Sequence, residues 1–441
     1  MKTLKKAFIS LAACSFLTTS AIAEVELKLS GIFDFRAGAR FQSKLNKDEK
    51  HQSAFTDKYV FDTSANFTAN VKNKQDDLTY GAKIVLYTTT KTKTAPSYNG
   101  SHIYVETDDY GKVELGSPFP ASNNMKLSAF SIVSAIGDGW SGYVNDNPKN
   151  VYGVNFATYD FYLSGFKAKT GPVAGTEPAR AISYYTPKMS GLQLGVTFIP
   201  DTTNGGADSK DKWTSYSTRT VKYLDSAIDP ATGKRAVKSY DILRGATNAF
   251  GAGVSYEHEI NEDTSVKLVA TGEYGKAIQK KIVKDNKDKD KLEQLTGEQK
   301  VKDLRTYNLG AMLTSGNMSY AISYGDLLGS YTSKFSDGKN KNTKYYAAAV
   351  KYDQGPLSVS LIYFGSSNRK TKLNSVTLGT AYKIAPGFET YAEIGHVQGK
   401  GTGNKEIAQG LNRTDPGFDP NYNTRVKLKA SVFILGLKVK I

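Results

Sequence analysis

The side chains that most often carry catalysis or bind metals are few in this chain and stand far apart. Its histidines are His51, His102, His258 and His396, and its one cysteine is Cys14. None of them stands at the spacing of a metal site or of a nucleophile and its base. The glycines fall at turns rather than in a phosphate-binding loop. The sequence therefore favours a protein that is not an enzyme and needs no cofactor.

Charged side chains are abundant, with 58 Lys and Arg against 42 Asp and Glu and a formal net charge of +16. Four basic residues fall on the polar faces of predicted strands: Arg36, Arg40, Lys83 and Lys267. Charges that line a narrow aqueous passage select between ions. The chemistry to expect is thus electrostatic selection, with a mild preference for anions, provided that the strands enclose a lumen.

The first residues predict an export signal. Three lysines precede a mostly apolar stretch at 7–17, and Ala21-Ile22-Ala23 has the small-x-small pattern of a cleavage site. Residues 1–23 are therefore a predicted signal peptide, and 24–441 form a single domain. An alternative cleavage before Cys14, as in lipoproteins, would leave a very short apolar region.

Nucleic-acid binding, which a basic aromatic chain could suggest, is disfavoured by export.

Alternation of apolar and polar residues follows the signal. Odd positions from Val25 to Phe41 are mostly apolar, and even positions such as Asp34 and Arg36 are mostly polar. Period two indicates a strand with two different faces. Mean hydropathy is −0.42, and no run of 18 apolar residues follows the signal, so helices are not expected to span a membrane. Alternating barrel strands remain compatible with such a hydropathy.

The pattern repeats to give sixteen predicted strands, joined alternately by short turns and long polar connections. Each turn of a few residues contains Gly, Pro, Asn or Asp. The long connections are predicted at 42–57, 91–100, 118–179, 200–248, 276–304, 326–344, 365–372 and 397–424. With both termini on the short side, this is the layout of an outer-membrane β-barrel, whereas a soluble β-sandwich has no reason to keep it.

Two further features support a membrane barrel. Five aromatic residues near the short turns predict a girdle at one bilayer interface: Tyr110, Tyr185, Tyr352, Tyr382 and Phe388. The chain also ends inside a strand at Ile441, which we expect to pair with the first strand and close the barrel. Because Val426, Leu428 and Ala430 run in the opposite phase to the last residues, we predict a bulge near 431–434.

Over its mature length the chain resembles the general diffusion porins of Gram-negative bacteria. The motifs that carry the resemblance are LSGIFD at 29–34, YGKVELG at 110–116, SYYTP at 183–187 and YKIAPGF at 382–388. The family usually ends in an aromatic residue that the barrel-assembly machinery recognises, whereas this chain ends in Ile441. The acidic motif of the third loop in enteric porins is also not evident.

The resemblance implies a 16-stranded antiparallel transmembrane β-barrel whose long third loop, roughly 117–179, folds into the lumen and sets its narrowest point. On this loop Asp138 and Asp146 are the candidate acids facing the basic strand residues. It further implies passive diffusion of small hydrophilic solutes and ions, a homotrimer, contact with outer-membrane lipid, and assembly by the barrel-assembly machinery.

Two other functions are compatible with the same barrel. A substrate-specific channel would show saturable conductance that its solute blocks. A surface adhesin or receptor would use the long connections at 200–248 and 276–304, with the barrel as its anchor.

Overall fold

The computed structural model describes residues 25–42, 59–89, 97–143, 180–202, 218–228, 235–243, 245–283, 291–294, 300–330, 342–368, 371–404 and 423–441. Asp146 and the predicted signal peptide lie outside these ranges. The strands are β1 (Glu26–Gln42), β2 (Tyr59–Gln75), β3 (Leu78–Thr89), β4 (Ser97–Thr107), β5 (Gly111–Gly116), β6 (Ala181–Tyr185), β7 (Leu192–Asp201), β8 (Thr218–Ile228), β9 (Arg235–Leu243), β10 (Ala246–Asn261), β11 (Thr264–Ala277), β12 (Lys280–Val283), β13 (Lys291–Gln294), β14 (Leu304–Ser315), β15 (Met318–Asp326), β16 (Thr343–Gln354), β17 (Leu357–Asn368), β18 (Thr371–Ala385), β19 (Phe388–Asn404) and β20 (Asn423–Lys440).

Sixteen of these strands form one closed antiparallel barrel, in the order β1 to β7, β10, β11 and β14 to β20. Each barrel strand pairs with its neighbours along the barrel, and β20 pairs with β1. Backbone hydrogen bonds between Gly31 and Ile441 seal the end of that seam. The predicted fold class and strand order are confirmed, because period-two alternation and short turns specify antiparallel neighbours.

The predicted bulge near 431–434 is wrong. From Val439 to Asn423, β20 keeps an unbroken register with β19. The apolar residues of β20 lie on the inner face in its first half and on the outer face in its second half, because different surroundings cover the two halves. Phe433 and Leu435 are exposed on the outer face, whereas Val426 and Leu428 are buried on the inner face. The alternation of apolar residues therefore changes phase because the strand packs against different surroundings, and β20 contains no extra residue.

Of the strands that the structure describes, four lie outside the barrel, in connections for which the sequence predicts no strand. They form a second antiparallel sheet in the order β13-β12-β9-β8. Strands β8 and β9 come from the connection between β7 and β10, and β12 and β13 from the one between β11 and β14. The two long connections therefore associate with each other through the pairing of β12 with β9.

The barrel has an apolar outer face. Large apolar side chains that alternate along the strands are exposed there, as with Phe35, Leu268, Ile322 and Leu378 at 42%, 48%, 61% and 47% exposure. A band of this kind faces lipid in membrane barrels. Among the described residues, no helix is long and apolar enough to cross a membrane.

Tyr110, Tyr352 and Tyr382 of the predicted aromatic girdle are exposed, as expected. Tyr185 is different, since it is buried at 8% exposure and its hydroxyl accepts a hydrogen bond from Asn124 Nδ2 at 2.8 Å. The prediction that Tyr185 belongs to the girdle is wrong, because an inward-facing tyrosine near a turn has the same local sequence as an outward-facing one.

Candidate channel lining

The third connection, between β5 and β6, packs against the inner wall of the barrel along its described part. It contains a short helix α1 (Ala121–Asn124) and two 3₁₀ turns, Ala129–Ile132 and Gly139–Gly142. Helix α1 contacts β7, β10 and β11, the first turn contacts β14 to β17, and the second contacts β19 and β20. Since these strands succeed one another around the barrel, the segment follows the wall.

Polar side chains of the wall hold the start of this segment. The backbone N–H of Ala121 donates to Thr197 Oγ1 at 2.7 Å, and the Ser122 hydroxyl donates to Glu273 Oε1 at 2.9 Å. All of these residues except Ala121 have buried polar side chains. A buried carboxylate is costly unless it is hydrogen-bonded, so Ser122 and Glu273 stabilise each other in this position.

Serine hydroxyls on the wall accept backbone N–H groups from the middle of the segment. Ala129 donates to Ser323 Oγ at 3.1 Å, and Ser134 donates to Ser360 Oγ at 2.8 Å. Irregular backbone has no ladder partners of its own, and these hydroxyls satisfy two of its donors.

One carboxylate holds the far end of the segment. Glu393 Oε2 accepts the N–H of Ile136 at 3.0 Å and that of Gly137 at 2.6 Å. Glu393 is 2% exposed, and the nearby Trp140 is fully buried at 0% exposure. One carboxyl oxygen of Glu393 therefore satisfies two backbone donors of this half of the segment.

Glycines of the wall make room for the segment. A Cβ at Gly310 would stand 2.3 Å from the carbonyl oxygen of Leu127, and one at Gly253 would stand 2.9 Å from Met125 Sδ. At Gly395 it would lie 2.8 Å from Trp140 Cδ1. The absent side chains at these inward positions therefore allow the backbone of the third connection to lie against the sheet.

Two of the predicted site residues meet the end of this segment. Arg40 Nη1 donates to the carbonyl oxygen of Tyr143 at 3.1 Å. Arg36 Nε donates to Asp34 Oδ2 at 2.8 Å, and the Tyr391 hydroxyl donates to Asp34 Oδ1 at 2.6 Å. Burial, more than any nearby charge, raises the pKa of Tyr143 to about 12. Its phenol therefore adds no charge to the lumen at neutral pH.

Lys83 lies on a part of the wall away from those attachments. It stands in register between Asn70 on β2 and His102 on β4. On the same inner face, Asn66 and Tyr87 are opposite each other in the ladder, and both are exposed. This wall is open to the lumen, and Lys83 belongs to it.

Lys267 is close to the short turn between β10 and β11, at the end of the barrel away from the long connections. Its ammonium lies 3.6 Å from Glu257 Oε2, which Lys188 also approaches at 3.1 Å. Asp138 begins the second 3₁₀ turn. The structure therefore brings Arg36, Arg40 and the Asp138 segment to one region, and places Lys83 and Lys267 elsewhere.

Sequence reasoning missed the two carboxylates that anchor the third connection, Glu273 and Glu393. Each stands on the inward phase of its strand, which the alternation could have shown. Nothing local distinguishes them from solvated lumen acids, because their partners are over a hundred positions away along the chain. Among the described residues, no group of His, Cys, Asp and Glu could hold a metal ion.

Comparison with known proteins agrees with this architecture. The family described as Gram-negative porin matches residues 10–402. An uncharacterised protein of Rickettsia typhi is 38% identical over 411 residues, covering 89% of this chain and 91% of the relative. Another from Rickettsia bellii is 36% identical over 449 residues, covering 98% and 96%.

Among solved structures, the anion-selective porin from Comamonas acidovorans has a TM-score of 0.56 at 12% identity, covering 95% of this chain and 100% of that one. At this identity the likeness shows the fold alone. The family match over most of the chain, together with the closed barrel, establishes the family to which the chain belongs. This chain belongs to the Gram-negative porins, the β-barrel channel proteins of the outer membrane.

Proposed function

We propose that this porin is exported by a signal peptide cleaved after Ala23 and forms a water-filled pore for passive diffusion of small hydrophilic solutes and ions. The pore passes between the third connection and the wall of β1 to β4. Its selectivity is a mild preference for anions, set mainly by Arg36, Arg40 and Lys83. Asp138 and Asp146 are the candidate acids on the loop side.

The sign of the proposed selectivity is supported by how the inner-wall charges are paired. The carboxylates of Glu273 and Glu393 are engaged by the third connection, and Lys112 lies 2.6 Å from Glu114. Lys83, by contrast, forms no ion pair with any residue that the structure describes. An uncompensated cation in a confined aqueous passage attracts anions. The anion selectivity stated for the Comamonas acidovorans protein makes this sign the first to test.

The test is the reversal potential of the refolded protein in a planar bilayer under a KCl gradient. We expect a potential of the sign given by chloride flux exceeding potassium flux. The double variant R36Q/R40Q should move the potential toward cation selectivity. Clear cation selectivity of the unmodified protein would contradict the proposal.

A substrate-specific channel is distinguished by the dependence of conductance on salt. A diffusion pore conducts in proportion to bulk salt, whereas a specific channel saturates and is blocked by its solute. Linear scaling up to molar salt supports the general pore, and saturation would replace it with the specific channel.

A second candidate function is favoured by the four-stranded sheet that the long connections form outside the barrel. Such a sheet has two edge strands, β8 and β13, and edges are templates for binding other chains. In this alternative the protein is a surface adhesin or receptor with the barrel as anchor. Absence of any single-channel conductance in folded protein would favour this alternative over the pore.

We further propose a homotrimer in contact with outer-membrane lipid, inserted by the barrel-assembly machinery. Chemical cross-linking in outer-membrane fractions, followed by gel analysis without heating, should show a band of three chains. The intact mass of the purified chain should start at Glu24. A lipid-modified chain starting at Cys14 would instead support lipoprotein processing.

A further inference from the structure

One row of described inward residues crosses the open wall of β1 to β4 without an acid. Lys28 on β1 stands in register with Asn70 on β2, Asn70 with Lys83 on β3, and Lys83 with His102 on β4. We call these four residues the lumen row. Neighbouring strands are about 4.8 Å apart, so the row spans roughly 15 Å of the wall. The lumen row therefore has two permanent positive charges and one titratable imidazole.

The rows on either side of the lumen row have a different charge balance. Toward the short turns, Lys72 stands directly opposite Glu26, so an acid faces that lysine. Toward the long connections, Ser30 stands opposite Thr68, and neither carries a charge. A charge added to the lumen row is therefore not compensated by an acid within that row.

Among the described histidines, only His102 stands on the inner face. His396 is opposite the exposed Val376 on the outer face, and His258 shares its face with the exposed Tyr256. The side chain of His102 is 11% exposed. Histidine ordinarily titrates between pH 5 and 8, whereas Asp and Glu ordinarily titrate below pH 5. Over this range, acidification therefore changes the charge of the described inner wall through His102.

Four titratable groups of the described structure face His102. They are Lys83 on β3, Lys112 and Glu114 on β5, and Tyr104 on its own strand. His102 Nε2 lies 3.7 Å from Glu114 Oε1, and Lys112 Nζ lies 2.6 Å from the same oxygen. The rings of His102 and Tyr104 are 6.4 Å apart. Since two lysines and one carboxylate already give this cluster a single positive charge, protonation of His102 doubles it.

Glu114 is placed to stabilise the protonated imidazole. Its side chain is buried, and no hydrogen bond from a described residue reaches its Oε2. A buried carboxylate oxygen without a donor is costly. The residue in register with His102 on β5 is Gly116, so that strand places no side chain directly beside the imidazole. A small rotation of the protonated ring can therefore bring an N–H group to the carboxylate.

We propose that His102 is a pH-dependent selectivity residue, which adds a positive charge to the lumen row as the pH falls from 8 to 5 and thereby increases the preference for anions. The inference rests on the proposed diffusion pore and names a regulation of its lining. One more charge ~10 Å from a passing ion in water changes anion and cation permeability in opposite directions, by about twofold each. The ratio of anion to cation permeability therefore rises about fourfold on acidification.

The test is the reversal potential of the refolded protein in a planar bilayer under a KCl gradient, measured at pH 8 and at pH 5. We expect the chloride-to-potassium permeability ratio to rise about fourfold more in the unmodified protein than in H102Q. The matched control H258Q removes a histidine of the outer face and should keep the full response. Cation selectivity at pH 8 would contradict the proposed function, whereas an equal change in the unmodified protein and H102Q would overturn the role of His102.

Folding of each variant is checked by heat-modifiable migration on gels. A second measurement leaves His102 unchanged and keeps the proposal testable if H102Q does not fold. In protein with isotope-labelled histidine, nuclear magnetic resonance in detergent micelles resolves the imidazole signals, and the variants H51Q, H258Q and H396Q assign the other three. The remaining signal should titrate between pH 8 and 5. A signal that stays constant over this range would overturn the proposal.

Discussion

Two walls of one barrel use the same strand alternation for different purposes. On β17 and β18, the inward residues Ile362 and Thr377 stand opposite each other and are buried at 2% and 1% exposure. On β2 and β3, the inward pair Asn66 and Tyr87 is exposed. The first wall is covered by the third connection, and the second is open to the lumen. Inward orientation alone therefore does not make a residue part of the channel lining.

The difference comes from the residues that the covered wall offers to the third connection. It presents hydroxyls, carboxylates and glycines to irregular backbone, and these hydroxyls and carboxylates accept hydrogen bonds from several backbone N–H groups of the segment. The open wall presents amides, lysine and tyrosine, which water solvates. If the covered wall is responsible for seating the segment, variants there should release it while leaving the barrel intact.

The largest effect is expected from Trp140→Ala. Trp140 is fully buried, and removing a buried tryptophan costs about 3–5 kcal/mol. The third connection should detach from β19 and β20. Trypsin reports this through Lys126, the one Lys or Arg in the described segment after Ser117. Cleavage after Lys126, quantified by mass spectrometry, should accelerate by about a hundredfold or more, because proteolysis follows the open population.

The matched control for Trp140→Ala is Phe433→Ala, which removes an aromatic ring from the outer face of the same wall. It should leave cleavage after Lys126 unchanged. Slow cleavage in Trp140→Ala would mean that this end of the segment does not determine its seating.

A smaller release is expected from Glu393→Ala. The change removes the acceptor of the N–H groups of Ile136 and Gly137, and the two hydrogen bonds together contribute a net ~1–3 kcal/mol. Cleavage after Lys126 should accelerate by about fivefold to a hundredfold. Glu389→Ala is the control, since Glu389 lies on the same face of β19 but pairs with Lys438 at 3.0 Å. Equal acceleration in both variants would refute the specific role of Glu393.

The glycines of the covered wall offer a finer comparison. Gly310→Ala should cost about 1–3 kcal/mol, because its Cβ meets the carbonyl oxygen of Leu127 at 2.3 Å and backbone cannot yield as a side chain does. At Gly379, the nearest atom to a Cβ is Ala135 Cβ at 3.2 Å, so Gly379→Ala should be nearly neutral. The thermal stability of the protease-resistant segment measures both. The reverse order would show that the segment adjusts freely to the wall.

How much of this was predictable depends on how far apart the contacting residues are in the chain. Strand pairing followed from alternation and turn residues, which are local signals, and so the barrel was predicted correctly. The covered wall was not predicted, because Glu393 and its partners are separated by more than 250 positions. The inner apolar half of β20 was misinterpreted as a bulge for the same reason, since the third connection that covers it is distant in sequence.

The strands outside the barrel and the burial of Tyr185 are two other features that could not be predicted from the sequence. Strands β12 and β13 contain four residues each, too few to show a period. Tyr185 stands at a turn where both faces of the strand accept an aromatic ring. The row of Lys372, Lys400 and Lys427 becomes visible only through the register of β18, β19 and β20, because the sequence places these lysines in three separate strands.

The smallest effect concerns the open wall itself. Lys83→Gln should lower the anion-to-cation permeability ratio about fourfold, since one charge ~10 Å away in water contributes roughly 0.4 kcal/mol, or about twofold, with opposite sign for the anion and the cation. Lys267→Gln is the comparison, because its ammonium already lies 3.6 Å from Glu257 near the turn end of the barrel. Reversal potentials of both variants under a KCl gradient should therefore shift by different amounts, with Lys83→Gln the larger. A larger shift for Lys267→Gln would place the selective charges at the turn end of the barrel. The open wall of β2 and β3 would then conduct water and solutes without selecting between ions.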